Sequence, residues 1–151
     1  VGTGFMVGSP WQTMANLLED LAFIRELQPQ MIGIGPFIPH HATPFKNYQA
    51  GTPERTLTLL SVLRLMLPRV LLPATTALGT IVPNGRELGI LAGANVVMPN
   101  LSPADVRQNY LLYDNKLCSG AEAAEAKNDL AARLHSISYE IAEGRGDYKE
   151  S

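Results

Sequence analysis

The chain has 151 residues, of which 46% are hydrophobic and 17% charged, and its formal net charge is −2. That composition supports one packed domain and excludes a disordered chain. It has no Lys/Arg cluster of the kind that marks a nucleic-acid or anionic-membrane surface, no apolar run of about 18 residues that would span a membrane, and a single cysteine, Cys118, so no internal disulfide. The lone thiol and the lack of a signal-peptide pattern give a cytoplasmic expectation.

The predicted elements alternate strand and helix. Val1 to Val7 reads as the inside of a strand, so the chain is expected to begin mid-protein, with the first strand over Gly4 to Gly8. Ser9-Pro10-Trp11-Gln12 predicts a capped helix start, and Leu17, Leu18, Leu21, Ile24 and Leu27 recur at helical spacing until Pro29. Met31 to Phe37 alternates with period two, as a strand does, and opens at Gly35-Pro36 into a loop that carries His40 and His41. Thr52-Pro53 starts a second helix whose apolar face uses Leu57, Leu60, Leu63 and Leu67, and Pro68 stops it. Leu71 to Thr76 predicts a third strand, although Pro73 is awkward in a ladder. A short helix over Gly85 to Ala92, a fourth strand over Asn95 to Met98, and a helix capped at Ser102 complete the alternation. The tail differs: an Ala-rich helix from Ser119 to about His135, a possible strand over Ser138 to Ile141, and an end from Gly144 that reads as mobile.

Four βα units on short connections imply a parallel sheet with right-handed crossovers. An eight-unit barrel takes about 250 residues, so the fold class expected is α/β, half of a TIM (β/α) barrel over residues 1–114 with a helical appendage over 115–151. A doubly wound open sheet is the competing architecture, but no GxGxxG follows the first strand.

In such barrels chemistry gathers at the C-terminal ends of the strands. That places Gly8-Ser9, Gly35 to His41, Thr75 to Thr80 and Met98 to Ser102 on one rim, with Tyr110 and Tyr113 close behind. The Thr75-Thr76 turn offers hydroxyls and backbone N–H groups suited to an anionic group such as a carboxylate, while β-branched threonines also simply favour strands. Met31 and Met98 could pack on a sulfur-bearing or aromatic ligand or fill the core. Tyr110 and Tyr113 share a helix face and suit either packing or pocket lining. Adjacent histidines rarely reach one ion and no carboxylate sits at a familiar spacing, so His40 and His41 are read as structural or solvated. The residues alone name no reaction.

The segments GIGPFIPH from Gly33, PATTALGT from Pro73 and GANVVMPN from Gly93, with MVGSP from Met6 and YLLY from Tyr110, carry a resemblance over nearly the whole chain. They resemble the C-terminal half of the HydE family of FeFe-hydrogenase maturases, radical S-adenosylmethionine (SAM) enzymes related to biotin synthase and methylornithine synthase. The resemblance implies a TIM barrel in which a 4Fe-4S cluster, held by a CxxxCxxC loop, reduces SAM to a 5′-deoxyadenosyl radical. The substrate implied is a small, cysteine-ligated iron-bearing precursor of the hydrogenase subcluster, and the full-length enzyme is expected to be a monomer that hands its product to other maturases. Neither nucleic acid nor membrane is expected as a partner. By resemblance Met31, Pro36 and Phe37 line the SAM side, Thr75 and Thr76 face the substrate carboxylate, Met98 lines the cavity, and Tyr110 and Tyr113 close over it.

This chain has none of the CxxxCxxC cysteines, so by itself it is expected to be inactive. Some members bind a second cluster through three tail cysteines. Here Cys118 matches the first, whereas Ala126 and Asp129 stand at the others, so no second cluster and no metal ligand is expected. A methylornithine-synthase-type enzyme and a complete non-enzymatic α/β binding module are the alternatives.

Overall fold

The computed structural model describes residues 1–98, 113–115 and 123–149. Strand β1 (Gly2–Val7) pairs in parallel with β2 (Met31–Pro36), Gly2 opposite Met31 and Val7 opposite Pro36. The parallel arrangement continues through single bridges, Met31 with Leu71 and Pro73 with Val96. The spatial order is therefore the chain order, as it is in a barrel wall.

The third and fourth predicted strands shrink to those bridges for local reasons. Pro73 has no N–H to donate. The Leu72 N–H is taken by the Asn95 side chain at 2.8 Å, and the Leu72 carbonyl accepts from both Asn95 and Val96. Only Ala74 N to Val96 O, at 2.8 Å, continues the ladder. Just beyond it lies a helix that strand periodicity concealed, α3 (Thr76–Ile81).

Helix α1 (Met14–Leu27) begins later than Ser9. The Gln12 amide turns back, accepting from Gly8 N at 2.7 Å and donating to the Met6 carbonyl at 2.9 Å, so Ser9 to Gln12 closes a turn. Thr13 is the N-cap, in a reciprocal box with Asn16. Of the predicted apolar face, Leu17 and Ile24 are buried while Leu18 is exposed. Helix α2 (Pro53–Met66) has the predicted start, with the Thr52 hydroxyl accepting from Arg55 N at 3.3 Å and Pro53 in the first turn. Its buried face is Thr56, Leu59, Leu60 and Leu63. Helix α4 (Gly85–Leu91) matches its expected position within a residue.

The helices pack on the outer face of the strands. Alternation along β2 sends Ile32, Ile34 and Pro36 into the core and Met31, Gly33 and Gly35 to the opposite face. Ile32, Ile34, Leu60, Leu63, Leu72 and Leu78 are almost wholly buried in one cluster. Helix α5 (Ala123–Ser136) joins that cluster through Leu130 and Leu134. Arg133 fixes it to α4 by a two-pronged pair with Glu87, the second prong at 2.9 Å, and by a bond to the Pro83 carbonyl at 3.1 Å. After α5 the chain turns at Ser138, which has φ 65°, and no strand forms over Ser138 to Ile141. The helix predicted after Ser102 and the Ser119 cap lie outside the described residues. Among the described residues no helix is long and apolar enough to cross a membrane.

Candidate functional site

The inner face of the strands opens onto a cavity of about 450 Å³ lined by Gly2, Thr3, Met31, Gly33, Pro73, Ala74, Thr75, Thr76 and Met98. Four of the predicted site residues, Met31, Thr75, Thr76 and Met98, meet there; Met31 comes from the first position of β2 rather than from its C-terminal end. Glycines at 2 and 33 keep the floor flat. Among the described residues no acid or base lines this wall, and what those residues offer is shape, sulfur contacts and hydroxyls.

Thr75 is the residue with chemical consequence. Among the described residues its buried Oγ1 has no hydrogen-bond partner, although Thr75 stands at the N-cap of α3, where a threonine hydroxyl normally accepts from the helix. A buried, unpaired hydroxyl costs about 1–3 kcal/mol, a cost removed by a ligand group that pairs with it. Gly35 makes the room: a Cβ there would lie 2.6 Å from Thr75 Oγ1. Thr76 Oγ1 accepts from the Arg86 guanidinium at 3.4 Å. Arg86 is half-buried; burial and the nearby Arg133 lower its pKa, while Glu87, Tyr113 and Asp129 oppose that shift. Sequence reading passes over Arg86. Its one signal there is an Arg-Glu pair, Arg86-Glu87, at the start of a short helix that is otherwise apolar.

The other predicted site residues lie elsewhere. Pro36 is buried on the helix-facing side because it shares the parity of Ile32 and Ile34. Phe37 packs edge-on against Phe45, which joins Trp11 and Tyr48 in an aromatic cluster beside the cavity's strands. Tyr110 lies outside the described residues. Tyr113 is half-buried and close enough to Arg86 to interact with its charge.

His40 and His41 have a carboxylate partner that sequence spacing could not reveal. Asp114, 73 positions beyond His41, accepts from His41 N at 2.9 Å and pairs with His41 Nδ1 at 2.7 Å, while His40 Nε2 lies 4.0 Å away. The hydrogen bond from the His41 ring, outweighing the small loss of hydration, holds the Asp114 pKa below its usual value, with the His41 backbone N–H adding to the effect. The three side chains lie within 4.8 Å of one another, as metal ligands can. However, Ala42 N donates to His40 Nδ1 at 3.1 Å. That places the His40 ring proton on Nε2, facing Asp114, and makes the group a hydrogen-bonded latch. With Asp114 N donating to the Pro39 carbonyl at 3.3 Å, the latch ties residues 113–115 to the loop after β2.

A floor of glycine and methionine beneath paired threonines can be compared with known proteins. The resemblance is to HydE. The [FeFe] hydrogenase maturase subunit HydE of Thermotoga maritima is 50% identical over 117 residues, which is 78% of this chain and 34% of HydE. The 3-methylornithine synthase of Methanosarcina barkeri is 35% identical over 89 residues, 59% of this chain and 25% of that protein. The crystal structure of methylornithine synthase (PylB) superposes with a TM-score of 0.72 at 26% identity, covering 95% of this chain and 41% of that one. No family model matches. The chain therefore spans about a third of the length of HydE. The likeness supports the fold class read from the sequence, the C-terminal half of a TIM barrel with parallel strands inside and helices outside.

Proposed function

We propose that these residues form the far wall of the SAM and substrate cavity in a HydE-type radical SAM enzyme that works in maturation of the hydrogenase di-iron subcluster. The observation that carries the reading is the unpaired, buried Thr75 hydroxyl on the wall of a cavity, in a chain half identical to HydE over 117 residues. Thr75 and Thr76 would face the carboxylate of a small cysteine-bearing substrate. Met31 and Met98 would pack against its sulfur or against SAM, and Tyr110 and Tyr113 would close the mouth.

A reduced 4Fe-4S cluster with SAM would supply a 5′-deoxyadenosyl radical, but that cluster does not fit this chain's own donors, since one cysteine cannot supply its thiolates. A wall that carries no acid or base among the described residues orients the substrate and excludes water. Residues 115–151 act as an appendage that buttresses the barrel through α5. The enzyme works in the cytoplasm and passes its product to other maturases.

The test is the full-length protein with its cluster reconstituted. It should cleave SAM to 5′-deoxyadenosine and restore activity to hydrogenase made without a functional HydE. Formation of 3-methylornithine instead would favour the second reading, which rests on the methylornithine synthase likeness. Absence of both activities would remove the enzymatic proposal.

A further inference from the structure

A threonine hydroxyl can donate or accept, and what lies behind it decides which face it shows a ligand. Behind Thr76 is Arg86, in the first turn of α4, with a guanidinium nitrogen 3.4 Å from Thr76 Oγ1. A guanidinium only donates. The Thr76 oxygen is thereby engaged as an acceptor, which leaves its hydrogen for a ligand to accept. The neighbouring carboxylate, Glu87, has both oxygens held by Arg133, and Arg86 Nε is buried without a hydrogen-bond partner among the described residues. Among those residues Arg86 thus keeps a charge that no direct carboxylate contact cancels, one residue behind the cavity wall.

We infer that Arg86 is the positioning residue of the threonine pair, holding the Thr76 hydroxyl as a donor so that this end of the cavity selects a carboxylate over an uncharged group. The inference deepens the function proposed above and rests on its assignment of a carboxylate to Thr75 and Thr76. Arg86 need not touch the ligand; it acts through the Thr76 oxygen, whose hydroxyl its charge polarises.

The experiment uses the full-length protein and two probes that differ in one group, L-cysteine and L-cysteinamide, with binding measured calorimetrically in wild type, T76V, R86Q, R86K and the R86Q/T76V double variant. R86Q should weaken cysteine binding about tenfold and leave cysteinamide unchanged. R86K keeps the charge without the planar fork and should fall between wild type and R86Q. Because Arg86 works through Thr76, R86Q should add little to T76V. Equal loss of both probes in R86Q, or full additivity with T76V, would overturn the role of Arg86. If R86Q does not fold, the same comparison in R86K decides. A wild type without preference for cysteine, or a T76V substitution that weakens the two probes equally, would sink the carboxylate assignment itself. A T76V substitution that weakens cysteine selectively, beside an R86Q substitution that weakens both probes equally, would remove only Arg86.

Discussion

Gly33 and Gly35 lie two residues apart on the same face of β2, and an added methyl group should do opposite things at the two sites. At Gly35 a Cβ would lie 2.6 Å from Thr75 Oγ1 and 3.4 Å from Thr75 Cβ, inside the separation of about 3.5 Å at which carbon contacts become favourable. The obstacle is a β-branched side chain at a helix start, with little freedom to turn away. Overpacking of this kind costs about 1–3 kcal/mol, offset by about 0.4–1 kcal/mol because alanine restricts the unfolded chain. Gly35→Ala in the full-length protein should therefore lose about 1–2 kcal/mol in denaturant unfolding and should also displace the Thr75 hydroxyl. At Gly33 nothing lies within 4 Å of where the methyl would sit, so Gly33→Ala should be neutral or stabilising by up to about 1 kcal/mol. Gly33 nevertheless lines the cavity, and its methyl group should weaken ligand binding without weakening the fold. The assay is urea unfolding beside calorimetric binding of SAM. If Gly33→Ala proves the more destabilising of the two, or binds SAM as wild type does, the assignment of this face to a ligand cavity is refuted.

Four further outcomes follow from the contacts. Replacing Arg133 by Met leaves the nearly buried Glu87 carboxylate unpaired and should cost about 2–4 kcal/mol in unfolding, below the full buried-pair figure because Arg133 is itself a third exposed; a change under about 0.5 kcal/mol would mean that α5 is not held there. Burial alone would raise the Glu87 pKa, but its bonds to Arg133 outweigh that and lower it, so this stabilisation is present above the unfolded carboxylate pKa and is lost as pH falls through the folded one; Glu87→Gln should flatten the acid limb of the stability profile, and an unchanged limb would contradict the assignment. Asp114→Asn should free the His41 amide, read as faster hydrogen exchange at His41 with no change at Ile32, and the same release should occur in wild type as pH falls below 3.8, the usual value from which Asp114 is lowered. A polypeptide of these 151 residues alone should self-associate, because β1 offers a free pairing edge, and should bind no four-iron cluster; a monomer in light scattering would count against the half-barrel reading.

The fold was legible where local chemistry and tertiary demand agree. Thr52-Pro53 caps a helix in both readings, and Met31 to Pro36 alternates because one face truly meets a core. It was obscured where a side chain took a backbone bond that the ladder would have used: Asn95 on Leu72, and Gln12 on Gly8 and Met6. Those substitutions erase strand length and move a helix start without altering the hydrophobic pattern. Of the cavity residues, Thr75 and Thr76 follow the C-terminal end of their strand, where barrel topology gathers a site, whereas Met31 reaches the cavity from the start of β2. Asp114 and Arg86 were not legible, since each meets its partner only after the chain has crossed the sheet or turned between helices, and spacing carries no record of that approach.

Arg86 bears on how a wall that carries no acid or base among the described residues can discriminate. Among the described cavity-lining residues only Thr3, Thr75 and Thr76 carry hydrogen-bonding side chains, and a hydroxyl alone separates a carboxylate from an amide poorly because it can donate to either. Discrimination requires a fixed charge close to the ligand yet withheld from it, so that it does not become a partner that must be broken. Arg86 has that placement behind Thr76, and Arg133 holds both oxygens of the adjacent Glu87, so no direct Glu87 contact reaches Arg86 among the described residues. The helix that brings Arg133, α5, sits outside the strand-and-helix alternation, and on this argument its docking tunes a cavity that none of its described residues lines. Arg133→Met should then leave the Glu87 charge unbalanced beside Arg86 and lower the preference for cysteine over cysteinamide. A variant that keeps the full preference while losing stability would show that α5 only buttresses the barrel.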